Sequence, residues 1–505
     1  MVSRRVTLGL LAAAPSLILP RKSAAQEQLP AIAKGPYDGT AQGLTKFRIP
    51  EWFRDAKFGI WAHWGPQSAA EYGDWYARNI YIQGSDQNKH HVATYGHPSK
   101  FGHKDICRMW TGDKFEPDHL MDLYKKAGAK YFMSMGVHHD NFDLWNSKHQ
   151  PRWNSVATGP KKDVVGLWRA AARKHGLKFA VSEHLSNSYN WLAVSHGADK
   201  TGDLAGVLYD GQDPAYSDLY HPFPKGEPIP ANAMSRVAPD SWKLLYFQRI
   251  QDLIDNYQPD LLYTDGGIPF DQYGYRLVSH YYNRVPNGVY TSKTKKDCEN
   301  GTCALDIERG IANEILADPW QTDTCIGQWH YKRGIRYKTP KTVVDMLCDI
   351  VSRNGNLMLN FPLPNSGALD DDELKVLDGI TQWMSVNSEG IYGTRPWKVA
   401  GNATVAAAGQ MGFNERNRKE LTAADVRFTK KGNTLYAFVM GWPEKQAVIP
   451  TLAQGGKLQV GKIHAVELLG HRERLQFTQD ENALTVQLPG AKPSDHAITL
   501  KIAGA

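Results

Sequence analysis

The chain has 505 residues, which is too long for one ordinary domain and predicts two or three. Hydrophobic residues make up 42% and charged residues 22%, so the composition excludes a disordered, collagen-like or disulfide-scaffold protein. The formal charge of +7 arises from 59 basic and 52 acidic residues mixed along the chain. Beyond the N-terminal segment no basic run is longer than Lys293-Thr294-Lys295-Lys296, so no nucleic-acid partner is expected.

Aromatic residues make up 11% of the chain and include 15 Trp and 23 Tyr. Such side chains fill a large interior, or they line a pocket that stacks the flat apolar faces of sugars or bases. Composition alone does not separate these two roles.

The N-terminus has the pattern of an export signal. Ser3-Arg4-Arg5 precedes an apolar stretch over residues 6–19, and small residues follow at Ser23-Ala24-Ala25. This pattern predicts a cleaved twin-arginine signal over residues 1–25, with a Sec signal or an uncleaved anchor as alternatives. The stretch is shorter than the ~20 residues that span a bilayer. We therefore expect an exported, periplasmic or secreted bacterial protein with no membrane association in its mature form.

The five cysteines fit no zinc spacing and no CxxC motif. Cys298 and Cys303 flank a short loop and could form a disulfide outside the cytoplasm. The sequence does not decide whether they do, and the odd count leaves at least one thiol free.

Between residues 45 and 395, short apolar runs alternate with amphipathic helical stretches. Asp163 is predicted to cap the N-terminus of one helix, which Gly176 ends. The predicted strands that follow such helices cover residues 130–135, 178–182, 261–264 and 356–360. This alternation over roughly 350 residues predicts a parallel α/β architecture, and its size favours a TIM-like (β/α) barrel over a doubly wound sheet.

Two segments, 84–105 and 199–240, lack this periodicity. They are predicted to be long loops, which recognise substrates on many barrels, although plain surface insertions fit as well. After Trp397 several short strand-like runs bounded by turn residues predict an antiparallel β-sandwich. The predicted domains are a signal peptide (1–25), a catalytic barrel (26–397) and a β-sandwich (398–505).

Two carboxyl groups are candidates for acid-base or nucleophilic chemistry. Asp265 follows an apolar run and precedes Gly266-Gly267, which is where polar residues face the mouth of a parallel barrel. A carboxylate at that place can be a nucleophile, a metal ligand or a turn cap. Glycoside hydrolysis needs a second carboxyl group, and Glu308 is a candidate, although beside Arg309 it fits a surface ion pair equally well.

Three histidines also follow apolar runs. His63 comes after the apolar run 58–62, and His138 and His139 close a predicted strand. Imidazoles with nearby aspartates can bind a metal, but no HxH or HExxH spacing is present. Imidazoles and indoles around one cleft suit sugar hydroxyls and pyranose faces better, so we expect no metal and no other cofactor.

Seven segments between residues 45 and 397 carry a specific pattern in a fixed order. They are WFRDAKFGIWAHWG (52–65), EYGDWY (71–76), HHDNFDLW (138–145), WNS (153–155), PDLLYTDGG (259–267), GNLMLN (355–360) and GIYGTRPW (390–397). Each segment is weak alone, but the ordered set resembles the α-L-fucosidases of glycoside hydrolase family 29.

The resemblance implies a retaining exo-α-L-fucosidase that hydrolyses terminal α-L-fucose from glycans by double displacement. It also implies a (β/α) barrel followed by a β-sandwich. Asp265 stands where the family carries its nucleophile. The positions that match the family's sugar-binding residues are His63, Trp75, His138, His139 and Trp329, the last beside the sugar's methyl group.

The chain departs from the family at the acid/base position. Many members place this Glu directly after a Trp, but here that slot is Trp320-Gln321, and an amide cannot donate the proton. Other members take the acid from an earlier loop, at a spacing that matches Glu308. We therefore predict Glu308 as the acid/base, with Glu314 and Glu299 as lesser candidates.

A second departure is Ser182-Glu183-His184, where tyrosines are common, and it adds Glu183 and His184 as sugar contacts. Two other functions stay open: a retaining glycosidase for a related sugar such as a galactoside, and a secreted fucose-binding protein without catalysis. A metal-dependent hydrolase is a third. The sequence does not determine linkage preference, natural glycan or oligomeric state.

Overall fold

The computed structural model describes residues 29–224, 227–402 and 412–505, and its first domain is built on a parallel sheet of eight strands. The predicted signal peptide lies outside the described residues. The strands are β1 (Phe58–Ala62), β2 (Tyr131–Val137), β3 (Lys178–Glu183), β4 (Leu261–Thr264), β5 (Val289–Ser292), β6 (Ala304–Leu305), β7 (Trp320–Cys325) and β8 (Gly355–Asn360). The four strands predicted from the sequence correspond to β2, β3, β4 and β8.

The sheet curls into a nearly closed barrel with the order β6-β5-β4-β3-β2-β1-β8-β7. Every pair in it is parallel. β6 has only two residues, and a single parallel bridge between Asp306 and Gln321 spans the gap to β7. The predicted TIM-like barrel is thereby confirmed.

The α-helices of the described residues connect and flank these strands. They are α1 (Ala41–Leu44), α2 (Glu51–Ala56), α3 (Tyr76–Asn79), α4 (Asp86–Tyr95), α5 (His103–Met109), α6 (Pro117–Lys126), α7 (Val164–Lys174), α8 (Ser188–Trp191), α9 (Ser217–Tyr220), α10 (Asp240–Tyr257), α11 (Gln272–Arg284), α12 (Lys295–Glu299), α13 (Pro340–Val351) and α14 (Asp371–Asn387). None of them is long and apolar enough to cross a bilayer.

Local sequence sets the ends of the helices that precede β2 and β3. The Asp163 carboxylate accepts a hydrogen bond from the Gly166 N–H, which confirms the predicted N-cap of α7. Gly128 and Gly176 follow α6 and α7 with φ values of 101° and 74°, a conformation that suits glycine and turns the chain into the next strand. β2 is buried along its whole length, as expected for a strand covered on both faces.

The predicted loop over 84–105 is wrong for much of its length, because α4 and the start of α5 lie there. Ser85 caps α4 by accepting a hydrogen bond from the Asn88 N–H. The helix sequence, DQNKHHVATY, is polar on almost every face, so it lacks the apolar periodicity that would have revealed it. The described residues of the segment 199–240 form α9, the first residue of α10, short turns of 3-10 helix and irregular chain.

The second domain consists of two antiparallel sheets. Its strands are β9 (Arg395–Gly401), β10 (Val426–Lys431), β11 (Thr434–Val439), β12 (Gln446–Ile449), β13 (Ala465–Leu468), β14 (Phe477–Gln479), β15 (Leu484–Gln487) and β16 (Ile498–Ala503). The sheet orders are β13-β16-β11-β10-β9 and β12-β15-β14. Inward side chains of both sheets form one hydrophobic cluster, so the predicted β-sandwich is confirmed.

A buried ion cluster joins the two domains. Asp349 of α13 accepts hydrogen bonds from Arg418 at 2.7 Å and Arg427 at 2.5 Å, and it also pairs with Arg353. Burial alone would raise the pKa of Asp349, but the three guanidinium groups outweigh it and hold that pKa well below its usual range. The cluster ties β10 and the chain before it to the barrel.

All five cysteines are free thiols in the structure, including Cys298 and Cys303. The disulfide that their spacing allowed is not formed.

Candidate active site

A cavity of about 400 Å³ opens at the carboxyl ends of the barrel strands. Most of its wall comes from residues in or just after successive strands, because parallel strands present their carboxyl ends at one face. The residues that line it from β1 to β7 include Trp61, His63, His138, His139, His184, Asp265, Lys293, Glu308, Asp323 and Trp329.

Asp265 lies on the floor of this cavity, directly after β4. Its carboxylate contacts the Lys293 Nζ at 2.8 Å and the His139 Nε2 at 3.2 Å, with the His184 Nδ1 at 3.5 Å. Burial would raise the pKa of Asp265, but Lys293 and the two imidazoles outweigh it and hold the pKa well below its usual range. Asp265 is therefore an anion that faces the cavity.

The glycine after Asp265 makes room for an arginine that binds the main chain. Arg236 donates hydrogen bonds to the carbonyl oxygens of Asp265 and Gly267, each at 2.8 Å. Gly266 has a φ of 112°, and a Cβ there would lie 2.3 Å from the Arg236 guanidinium. The glycine thus lets Arg236, from the segment 199–240, hold the Asp265 backbone.

Glu308 also lines the cavity and pairs with the same lysine. Lys293 Nζ contacts the Glu308 carboxylate and lies 3.7 Å from that of Asp323. Burial raises the pKa of Glu308 to about 7, with Lys293 opposing that shift and Asp323 and Asp265 adding to it. The carboxylates around Lys293 raise its own pKa well above the usual value although burial opposes this, so it stays protonated.

Gln321 makes hydrogen bonds away from the cavity. Its Nε2 donates to Asp306 Oδ2 at 2.6 Å, and its Oε1 accepts from the Tyr131 hydroxyl at 2.9 Å. Burial and the neighbouring Asp323 raise the pKa of Asp306 well above its usual range. The amide therefore fills a structural position between Tyr131 and a protonated carboxyl group.

Four imidazoles line the cavity, each just after a barrel strand, and a fifth, His330, packs against two of them. Neither ring nitrogen of His63 has a hydrogen-bond partner within the described residues, and its ring lies 5.1 Å from that of His138 and 4.6 Å from that of His330. Burial and neighbouring imidazoles lower the pKa values of His63 and His138 well below the usual range. Burial lowers that of His184 to about 4, although Asp265 opposes the shift. Neutral imidazoles offer one donor and one acceptor each, which suits sugar hydroxyls.

The same side chains could hold a metal ion. Two sets in the described residues have ligand atoms within 4.8 Å of one another: His63, Asp74, His138 and His330, and separately His138, His139 and His184. Neutral imidazoles are also good ligands for divalent metals, so geometry alone admits both uses.

The aromatic residues divide between the cavity and the core. Trp61, Trp75 and Trp329 line the cavity, and the rings of Trp61 and Trp329 are 5.5 Å apart. Trp64 and Trp145 are fully buried, and the Trp145 Nε1–H donates to Asp252 at 3.0 Å. Aromatic richness thus reflects a large core more than a large pocket.

Glu183, which the sequence predicted as a sugar contact, does not line the cavity. Its carboxylate is fully buried and accepts hydrogen bonds from the Thr264 hydroxyl at 2.6 Å, the Tyr246 hydroxyl at 2.9 Å and the Leu185 N–H at 3.0 Å. Successive residues of a strand face opposite sides, so Glu183 faces the helices while His184 faces the cavity.

The two lesser acid/base candidates are also outside the cavity. Glu314 is exposed, and Glu299 is exposed and paired with Lys295 at 3.1 Å. Among the acidic residues that the sequence had predicted for catalysis, the structure brings together only Asp265 and Glu308.

The residues that line the cavity but were not predicted as site residues include Asp74, Lys293, Asp323 and Phe413. Lys293 directly follows β5. Polar residues at that place face the mouth of a parallel barrel, so the argument that identified Asp265 could also have identified Lys293. Asp323 lies inside β7, where only the register reveals the inward face. Phe413 comes from the chain between β9 and β10 of the second domain, and no local signal points to it.

Comparisons with known proteins agree with this geometry. The sequence model of the family described as Alpha-L-fucosidase matches residues 24–389, and that of the Alpha-L-fucosidase C-terminal domain matches residues 418–503. The chain is 26% identical to rat tissue alpha-L-fucosidase over 95% of both chains, and 26% identical to human plasma alpha-L-fucosidase over 91% of this chain and 90% of the relative. The crystal structure of Thermotoga maritima alpha-fucosidase in complex with fucose superposes with a TM-score of 0.70 at 25% identity, covering 92% of this chain and all of that one.

Proposed function

This chain belongs to the alpha-L-fucosidase family of glycoside hydrolases, and we propose that it is a retaining exo-α-L-fucosidase acting on fucosylated glycans. The observation that carries the proposal is the pairing of Asp265 and Glu308 around Lys293 inside one cavity. Their pKa values shift in opposite directions, which keeps one carboxylate ionised and leaves the other carboxyl group about half protonated at neutral pH.

The spacing of the two carboxyl groups supports retention. One ammonium nitrogen contacts an oxygen of each. Two ammonium–carboxylate contacts of ordinary length place those oxygens no more than about 5.6 Å apart. Retaining glycosidases have their carboxyl groups roughly 5–5.5 Å apart, whereas inverting enzymes need roughly 6.5–9.5 Å to admit a water.

In the proposed mechanism, an Asp265 carboxylate oxygen attacks the anomeric carbon of α-L-fucose. As the new C–O bond forms, the bond to the leaving oxygen breaks and that oxygen takes the proton from Glu308. Glu308, now ionised, then removes a proton from water, and the water oxygen displaces Asp265 from the anomeric carbon. Fucose leaves with its original configuration, and both side chains return to their starting protonation states.

Lys293 supports this cycle as a fixed positive charge beside both carboxylates. It stabilises the Asp265 anion before attack and the Glu308 anion after proton transfer. Burial raises the pKa of Glu308 and Lys293 lowers it, so the pKa of this carboxyl group stays at about 7.

Sugar recognition is assigned to neutral imidazoles and to one apolar wall. His63, with both ring nitrogens unpaired within the described residues, can bond hydroxyls in either direction. Trp61 and Trp329 form an apolar surface that suits a methyl group, whereas the hydroxyl of a galactoside would be left unpaired there.

The decisive experiment follows the first sugar released from an aryl α-L-fucoside by proton NMR. We expect α-L-fucose before mutarotation, and β-L-fucose would contradict the retaining assignment.

A panel of aryl glycosides that includes an α-D-galactoside tests which sugar is preferred, and faster turnover of another member would contradict the fucosidase assignment. Activity that survives EDTA supports catalysis by the two carboxyl groups, whereas loss restored by a divalent metal would favour the metal sets described above.

We also propose that the enzyme works outside the cytoplasm. Support comes from the sequence pattern of residues 1–25 alone. Fusion of this segment to a reporter should direct export in a bacterial host, and Arg4→Lys with Arg5→Lys should abolish it. Export that is unchanged by the paired substitution would contradict a twin-arginine signal.

A further inference from the structure

A short piece of chain between β9 and β10 of the second domain reaches the mouth of the catalytic cavity. Phe413 lines the same cavity as Glu308, and its side chain is among the most exposed of the large apolar residues, with 62% of its surface accessible. Exposure of a full aromatic ring at the mouth of a binding site is typical of a surface that a ligand covers.

The position of Phe413 is tied to the main chain of Glu308. The Phe413 N–H donates to the Glu308 carbonyl at 2.9 Å, and the Glu415 N–H donates to the Arg309 carbonyl at 3.0 Å. The Asn414 side chain accepts from the Ile311 N–H at 3.1 Å. These bonds fix the segment alongside the loop that carries Glu308.

The segment is also anchored to the barrel through Glu415. Its carboxylate accepts from the Thr324 hydroxyl at 2.5 Å and pairs with Lys338 at 2.6 Å. Phe413 itself has a φ of 54°, in the left-handed region that an aromatic residue rarely adopts. The surrounding bonds therefore hold this ring in an unfavourable backbone conformation at the rim of the site, which is common for residues with a binding role.

We propose that Phe413 forms the subsite for the leaving group, packing against the apolar face of the pyranose to which fucose is linked. The inference rests on the proposed function. Glu308 must reach the oxygen between the two sugars, so the second sugar lies against whatever adjoins Glu308 on the open side of the cavity. That neighbour is Phe413, and Arg309 and Glu415 beside it supply polar groups for the hydroxyls of the same sugar.

The test separates leaving-group binding from chemistry by comparing two substrates. One is the fucosyl disaccharide that the wild type hydrolyses fastest among α-1,2, α-1,3, α-1,4 and α-1,6 linkages. The other is α-L-fucosyl fluoride, whose leaving group has no sugar ring. We expect Phe413→Ala to lower kcat/KM for the disaccharide about 10-fold, mainly by raising KM. Its kcat/KM for the fluoride should stay within about 2-fold of the wild-type value. Phe413→Trp should retain turnover of the disaccharide.

The matched control is Val448→Ala, another exposed apolar residue of the second domain that does not line the cavity, and it should change neither substrate. An equal loss on both substrates in Phe413→Ala would overturn the proposal, because the fluoride has no second sugar to bind. A loss confined to the disaccharide but expressed in kcat, with KM unchanged, would overturn it too and assign Phe413 to support of Glu308, since fluoride departs without a proton donor. Unchanged disaccharide turnover would overturn it as well. If the wild type hydrolyses no fucosyl fluoride, the proposed function fails, and that result is distinct from both.

Discussion

Two buried clusters of charge in this protein contain the same kinds of groups in opposite proportions. In the cavity, Lys293 is shared by the carboxyl groups of Asp265, Glu308 and Asp323. At the junction of the domains, Asp349 is surrounded by three arginines. The side chain of Asp265 is 14% exposed and that of Asp349 only 3%.

The difference shows that the ratio of cations to carboxyl groups decides whether a buried carboxyl group ionises, and with it which role the group can have. Where cations exceed carboxylates, every carboxylate ionises and the cluster serves only to hold two domains together. Where carboxyl groups exceed cations, they compete for one positive charge, so one ionises and another keeps its proton. The second arrangement provides a nucleophile and an acid in one place.

The largest expected effect comes from removing the anion of the catalytic cluster. Asp265→Asn should reduce kcat on an aryl α-L-fucoside by on the order of 10⁴-fold, because no carboxylate remains to form the glycosyl–enzyme bond. Thermal unfolding should stay cooperative, which would show that the loss is chemical. Normal turnover by the folded variant would contradict the nucleophile assignment.

The corresponding change in the junction cluster should act on stability. Asp349→Asn leaves three buried guanidinium groups without their counterion, so we expect the free energy of unfolding in urea to fall by about 3–5 kcal/mol. Asp372→Asn, which removes an exposed pair with Lys375, is the matched control and should leave the midpoint unchanged. Equal midpoints for the two variants would show that the junction cluster does not stabilise the fold.

The effect of removing the proton donor on the rate should depend on the leaving group. Glu308→Ala should slow hydrolysis of glycans by roughly 10²–10³-fold, and azide should restore turnover of a substrate with a good leaving group. Glu314→Ala, on an exposed residue of the same loop region, is the control and should behave as the wild type. Without azide rescue in Glu308→Ala, the acid/base role would belong to another residue.

The pH profile of the wild type should report the acid of the cluster. Glu308 must be protonated to act, so kcat/KM is expected to fall as pH rises through about 7, by about 10-fold per pH unit beyond it. Asp265 must be ionised, and its lowered pKa keeps the acidic limb well below neutral pH. A profile that stays flat into the alkaline range would be inconsistent with Glu308 as the acid.

The smallest expected effect is a shift of the pH profile when the shared cation, Lys293, is removed. Lys293 lowers the pKa values of both Asp265 and Glu308, so Lys293→Met should raise both and move the two limbs of the kcat/KM profile toward alkaline pH. Lys295→Met removes an exposed lysine two residues away and should leave the profile in place. A Lys293→Met profile that coincides with the wild type would remove Lys293 from the catalytic cluster.

Local patterns in the sequence predicted four of the eight barrel strands and the place of Asp265 at the end of one of them. β4 coincides with its predicted range, and Asp265 follows it, because an apolar run that ends in a polar residue is a local signal. Helix α4 escaped prediction because its polar sequence carries no such signal. Glu183 was assigned to the cavity with His184 because the segment departs from the family there. The face of a strand residue depends on register, which the sequence does not state, so that assignment was wrong.

By itself, the sequence determined the barrel followed by a sandwich, the family and the nucleophile candidate, because each is encoded in residues close together along the chain. Only the tertiary structure decided that Lys293 stands between Asp265 and Glu308, that Gln321 is bound to Asp306, and that Phe413 adjoins the acid. These contacts join residues from different strands and domains. Their distances, and the pKa shifts that depend on them, exist only once the chain is folded.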